Sequence, residues 1–254
     1  MAGSAIAAQL YTVRQFTQTT ADIAKTLHKV RQIGYEAVQV SAFGAIDKGE
    51  LRRILDAEGL VCASTHIKFE EMRDEASRVV DEHKLLGCDY PAIGGMPASY
   101  RNPAGFHQFA RDASDVAARL AEHGLTFGYH NHSFELQRFD GRTGLDILID
   151  ESDPKTVTFE IDTYWIQHGG GCPAAWVRRV AGRIPLLHLK DMAILDGKQV
   201  MAEVGEGNLD WPGILGAARE SGVRWYFVEQ DVCQRDPFDS LAMSLRNLRR
   251  MGLR

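Results

Sequence analysis

The sequence predicts an α/β fold, a closed (β/α)8 barrel of the TIM type built as one domain over residues 1–254, and three observations point there. Short apolar runs alternate with amphipathic helical patterns along the whole chain. Glycines at 34, 59, 87, 124, 182 and 222 each follow a helical pattern and precede an apolar run, where a left-handed residue turns the chain back into the next strand. Eight such strand–helix pairs in 254 residues match the count and length of a closed barrel. A doubly wound open sheet is the alternative, but the first strand is not followed by Gly-x-Gly-x-x-Gly, its commonest ligand signature.

Residues 5–10 read as the first strand. Thr19-Thr20-Ala21-Asp22 is a helix start, and Ile23, Leu27, Val30 and Ile33 carry an apolar stripe to the stop at Gly34. The pattern then repeats: strand 37–40 with helix 47–58, strand 60–65 with helix 69–86, strand 90–93 with helix 106–122, and strand 125–132 with helix 142–149. Strand 156–161 with helix 173–180, strand 184–189 with helix 211–221, and strand 223–228 with helix 237–251 complete the set. The longest piece without a regular pattern is 191–208, and loops of that length in compact domains are usually functional.

Composition narrows the function. A formal net charge of −5, with lysines and arginines dispersed rather than gathered into a basic stripe, gives nucleic-acid binding little support. The four cysteines, Cys62, Cys88, Cys172 and Cys233, are scattered and form no CxxC pair, which reads as reduced thiols in a cytoplasmic protein. The stretch 1–10 lacks a positive n-region and is interrupted by Gln9, unlike a signal peptide, and no window is apolar enough to span a bilayer.

The chemistry gathers at the C-terminal ends of the predicted strands. Those ends carry Gln9, Gln39, His66, His130 and His132, Asp162, His188 and Lys190, and Glu229, whereas the opposite ends are apolar or Gly/Pro. Stability alone gives no reason to put polar groups on one rim, and in such barrels that rim is where active sites lie. Within a strand the period of two puts Gly128, His130 and His132 on one face, and likewise pairs Glu160 with Asp162, His188 with Lys190 and Glu229 with Asp231. Asp162, His188 and Glu229 make a mixed nitrogen and oxygen set with net negative charge, suited to a divalent ion such as Mn²⁺, Mg²⁺, Co²⁺ or Zn²⁺. A metal-free hydrogen-bonded cluster is the alternative.

These residues resemble a known family, the xylose-isomerase-like barrels, which comprises sugar isomerases and epimerases and also includes inosose and dehydroshikimate dehydratases and endonuclease IV. The resemblance runs from Gln9-Leu10-Tyr11-Thr12-Val13-Arg14 through Tyr129-His-Asn-His, Glu160-Ile-Asp-Thr-Tyr-Trp165, His188-Leu-Lys-Asp191 and Val204-Gly-Glu-Gly-Asn-Leu-Asp-Trp211 to Val228-Glu-Gln-Asp231. Each motif is weak alone; their order is specific. In that family a metal is held by a Glu from a middle strand, an Asp, a His and a final Glu, so the resemblance implies Asp162, His188 and Glu229 for the last three. This chain departs from the family epimerases by having His130 in place of a Glu and Trp165 in place of a His. Glu135, His130 and His132 are thus the candidates for the fourth ligand. Glu135 is preferred because a carboxylate better balances a divalent charge, which leaves His130 and His132 for acid–base work near neutral pH.

Lys190 is the third catalytic candidate, as the stabiliser of an oxyanion or carboxylate, with a structural ion pair as its other reading. Gln9, Gln39, His66 and Trp165 are the substrate-contact candidates. Trp165, like Phe43, could stack on sugar C–H groups or simply belong to the core. Arg101 is a candidate anion contact. The function expected is metal-dependent isomerisation or epimerisation of a sugar or sugar phosphate, by removal of a proton next to a carbonyl and stabilisation of the enediolate. A lyase or dehydratase would use the same carbanion to expel a β-substituent. An endonuclease would need more histidines and a basic face, and a non-catalytic sugar-binding barrel is a further alternative. The expected partner is a small sugar-like molecule, not nucleic acid or membrane, with homo-oligomerisation left open.

Overall fold

The computed structural model of the chain describes residues 5–254. Residues 1–4, part of the predicted domain and of the stretch read for a targeting signal, lie outside the described residues. Eight parallel strands close into a barrel: β1 (Ala5–Gln9), β2 (Ala37–Val40), β3 (Val61–His66), β4 (Pro91–Ile93), β5 (Phe127–His130), β6 (Val157–Asp162), β7 (Leu186–Leu189) and β8 (Trp225–Val228). Each strand pairs with its neighbours in chain order, and β8 closes on β1 through Ala5↔Trp225 to Ala8↔Val228. The expected barrel is therefore present, and the open-sheet alternative is not.

The helices between the strands are α1 (Thr20–Ile33), α2 (Lys48–Glu58), α3 (Phe69–Asp74), α4 (Ala76–Leu86), α5 (Pro103–Ala121), α6 (Gly144–Glu151), α7 (Thr163–His168), α8 (Pro173–Arg179), α9 (Trp211–Ser221) and α10 (Pro237–Arg250). All six glycine stops have positive φ, between 63° and 113°, as a chain reversal after a helix requires. Thr143 and Asp146 form a reciprocal capping box at the start of α6.

The strand period of two divides the core. Outward residues such as Val38, Cys62, Phe127, Tyr129, Phe159, Ile161, Leu187 and Tyr226 pack beneath the helices. Inside, the floor of the barrel is Ala7, Ala37, Ala63 and Ala92, plugged by Leu186 and Phe227. Alanines from four strands leave room for those two large side chains, whose full burial is worth about 1.5–3 kcal/mol each. Gly128 shares this constraint, because a Cβ there would stand 3.0 Å from the Cβ of Ala92.

Three local features differ from the sequence expectation. The predicted helix 69–86 is broken at Glu75 (φ −127°, ψ 35°), which lets Phe69 turn into the rings of Phe109 and Phe127 while α4 runs beside α2. Strand β5 stops at His130 instead of continuing to 132, and a tight turn, Phe134–Leu136, follows. The irregular piece 191–208 contains an antiparallel hairpin, Asp191–Leu195 with Lys198–Ala202. The carboxylate of Asp191 organises its base, accepting from the backbone N–H groups of Met192, Gly205, Gly207 and Leu209 and from the Trp211 indole N–H. Gly207 must be glycine there, since a Cβ would lie 2.3 Å from Asp191 Oδ1. Among the described residues no helix is long and apolar enough to cross a membrane, and all four cysteines are free.

Candidate active site

Above the alanine floor, the inward face of every strand but β4 turns polar. Four ligand-type side chains converge: His130 at the end of β5, Asp162 at the end of β6, His188 on β7 and Glu229 just past β8, all buried, with their ligand atoms within 4.8 Å of one another. His188 Nδ1 lies 2.8 Å from Glu229 Oε2 and 3.8 Å from Asp162 Oδ2, and His130 Nε2 lies 3.3 Å from Asp162 Oδ2. A tetrahedral ion with bonds of about 2.1 Å holds its ligand atoms about 3.4 Å apart, so two imidazoles and two carboxylates at these separations fit a divalent ion.

Local folding aims these groups. Asp162 divides its oxygens: Oδ1 accepts from the Trp165 N–H and caps α7, which leaves Oδ2 for the cluster. Asn131, on the opposite face from His130, accepts from the Asp162 N–H at 3.0 Å and ties the ends of β5 and β6 together. Lys190, fully buried, sets its ammonium 3.1 Å from Asp162 Oδ2 and 2.9 Å from both Glu229 Oε2 and Asp231 Oδ2.

Beneath the cluster runs a second polar layer. Glu160 accepts from Gln39 at 2.7 Å and pairs with His66 Nε2 at 2.6 Å, while His188 Nε2 lies 3.3 Å from Glu160 and 2.7 Å from Gln39 Oε1. Gln9 donates to Gln39 at 2.7 Å and reaches His66 Nδ1 at 3.3 Å. Gln9 and Gln39, expected to touch substrate, are thus fully buried connectors between histidines and carboxylate.

The electrostatics follow from burial and pairing. Burial opposes charge on His188, but the Glu160 and Glu229 carboxylates overcome it and carry the imidazole up to about 10. Burial likewise opposes charge on Lys190 and on the acids Glu160, Asp162 and Glu229. Their mutual attraction, with His188 between them, keeps Lys190 protonated and the three acids ionised. Asp231 is pushed up to about 6 by burial and by the Glu229 charge. His130 is lowered by burial and by His188, and His132 falls to about 3 through burial and His130, so both are neutral at pH 7.

Glu135, expected as the fourth ligand, is held elsewhere. The turn after β5 folds it away from the barrel axis, where Tyr129 Oη donates to it at 2.7 Å and the His132 N–H at 3.0 Å. Burial raises its carboxyl to about 7. His130, expected as an acid–base group, stands in the ligand cluster instead. Arg101 is also engaged, donating to the Met96 carbonyl and lying 4.1 Å over the Phe134 ring.

A cavity of about 440 Å³ opens onto the cluster, lined among others by Tyr11, His66, His130, His132, Trp165, Met201, Glu229 and Asp231. His132 packs against Trp165 with ring centroids 5.2 Å apart, and both His132 Nδ1 and Trp165 Nε1 are buried without a hydrogen-bond partner. No lysine or arginine is among the described residues that line this cavity, and Lys190 sits behind the carboxylates rather than on its surface. Sequence reasoning gave no role to Glu160 or Asp231, although the period of two placed them inward with Asp162 and Glu229. It had no signal for Met201, which the hairpin carries into the wall.

The chain is similar to several known proteins in sequence and in fold. The chain is 26% identical over 270 residues to the rhizopine catabolism protein MocC of Rhizobium meliloti, across 91% of this chain and 82% of that protein. It is 24% identical to an inosose dehydratase of Geobacillus kaustophilus, over 66% of this chain and 61% of that protein's length. A crystal structure of a sugar phosphate isomerase/epimerase from Parabacteroides distasonis superposes with a TM-score of 0.83 at 24% identity, covering 98% of this chain and 94% of that one, a likeness of fold. The family model described as xylose isomerase-like TIM barrel matches residues 27–251, and with that match spanning most of the barrel the chain belongs to this family.

Proposed function

We propose that the chain is a metal-dependent enzyme that removes a proton next to the carbonyl of a neutral polyhydroxylated substrate, as a sugar isomerase or epimerase. The convergence of His130, Asp162, His188 and Glu229 beneath an open cavity at the C-terminal mouth of the barrel carries this reading. Those four would hold the ion. When bound, a divalent ion supplies Lewis-acid stabilisation of the enediolate charge. His132, on the cavity wall beside the cluster, is the side chain placed to take the proton from carbon. Trp165 Nε1 and His132 Nδ1, left without partners, are donors and acceptors that substrate hydroxyls can satisfy, and the Trp165 face suits sugar C–H groups. Lys190 holds the Asp162, Glu229 and Asp231 carboxylates in place, and Gln9, Gln39 and His66 do the same for Glu160. With no lysine or arginine among the described residues of the cavity wall, an uncharged sugar is favoured over a sugar phosphate.

A lyase acting through the same carbanion is the second reading. The similarity to an inosose dehydratase favours it.

The test is incubation of the metal-loaded protein with ketosugars in D₂O, followed by NMR. Deuterium appears at the carbon beside the carbonyl, or that proton is lost with elimination of its neighbour. His132→Ala lowers exchange by about 10²–10⁴-fold with metal retained, whereas His130→Ala loses metal and Glu135→Ala keeps it. Product formed without exchange or loss of that proton would replace this mechanism with a hydride shift.

A further inference from the structure

Resting on the proton-abstraction reading, we propose that the substrate is a ketosugar bearing a second, uncharged ring, and that this ring occupies a separate cavity beside the catalytic one. The second cavity, about 380 Å³, lies between the loops that follow β2 and β3 and the helices α2 and α4. The two cavities meet at Ser41, His66 and Gly94, each of which lines both. Gly94 packs closely on the His66 side chain there, and a Cβ on it would stand 3.1 Å from His66 Nδ1.

The walls say what fits. Phe43, Ile46 and Ile67 supply apolar faces suited to the C–H side of a sugar or to an aromatic ring. The charged lining residues are Lys48, Lys68, Glu71 and Glu82, two of each sign, with Lys48 3.9 Å from Glu82, so the lining carries no net formal charge. Two of its buried polar groups are already paired: Thr65 Oγ1 and His83 Nε2 bond at 2.7 Å, and His83 Nδ1 reaches the Val79 carbonyl at 2.7 Å. The volume is in the range of cavities that take whole small molecules, more than a departing water or hydroxide needs. An aromatic aglycone and a second sugar residue share this chemistry.

The experiment uses methyl, phenyl and glucosyl glucosides oxidised at C3, which leaves an acidic C–H at C2 next to the substituent-bearing C1. Calorimetric titration of the metal-loaded protein reads affinity, and C2–H exchange in D₂O reads chemistry separately. The phenyl compound, the glucosyl compound or both bind at least tenfold more tightly than the methyl one, and whichever does identifies the source. Ile46→Trp, which fills the cavity, brings the ring-bearing compounds down to the methyl value and leaves the methyl value unchanged. Phe43→Ala, should Ile46→Trp not fold, weakens only the ring-bearing compounds. Equal affinity for all three, no binding of either ring-bearing compound, or a preference that survives the variants overturns the proposal. Preference without exchange sinks the proton-abstraction reading and leaves the second cavity assigned; exchange without preference does the reverse.

Discussion

Glu160 lies under the proposed ligand cluster, with its carboxylate 3.3 Å from His188 Nε2. A carboxylate behind a metal-ligating histidine fixes its tautomer and ring orientation, and losing such a partner typically costs 10- to 100-fold in metal affinity. Glu160→Gln therefore weakens Mn²⁺ or Zn²⁺ binding by about that factor, read by calorimetry, while the similar shape of glutamine preserves the fold. Unchanged affinity would reduce Glu160 to a packing role. Glu135 is a separate case, because its buried carboxyl titrates outside the cluster. Its value rises from 4.5 unfolded to about 7 folded, so the stability tied to its neutral form is full below 4.5 and is lost as pH rises through 7. The advantage of the native protein over Glu135→Gln should thus shrink between pH 5 and 8, by up to about 1.4 kcal/mol per pH unit. Denaturant melts across that range check it, and a gap that widens with pH would contradict it.

At the scale of elements, the segment after β7 depends on one side chain. Asp191 is the acceptor for four backbone N–H groups and an indole, and through them it holds the hairpin that brings Met201 to the cavity wall. Asp191→Ala leaves several of those donors unsatisfied, which costs on the order of 3 kcal/mol or more. Hydrogen exchange should accelerate across 192–209 and stay near native in the barrel strands. Uniform acceleration instead would show that the hairpin and barrel open as one unit.

For the whole molecule, an ion held by the four proposed ligands at separate strand ends would link separate parts of the barrel wall. Binding only to the folded state at one hundred times Kd adds about 2.7 kcal/mol, which for a chain of this size raises Tm by roughly 5–10 °C. Chelator removes the increment. His130→Ala and Asp162→Asn should respond far less to Mn²⁺, whatever their own starting Tm, and Glu135→Ala should respond as the native protein does. An increment that persists in the first two variants would move the ion to other residues.

The sequence by itself determined the barrel, because strand period, helix stripe and glycine stops are local signals, and Gly34 or Gly222 announces its turn without reference to distant residues. The same period of two placed Asp162, His188 and Glu229 inward on one rim. What only the tertiary structure decided depends on where the chain leaves its regular elements. Whether β5 ends at His130 or His132 determines which histidine enters the cluster, and the turn that carries Glu135 back to Tyr129 has no periodic signature. Glu160 gains its role only when Gln39, His66 and His188, from three other strands, close around it. The second cavity exists because two loops and two helices meet beside the barrel, a relation between surfaces that a linear pattern does not encode.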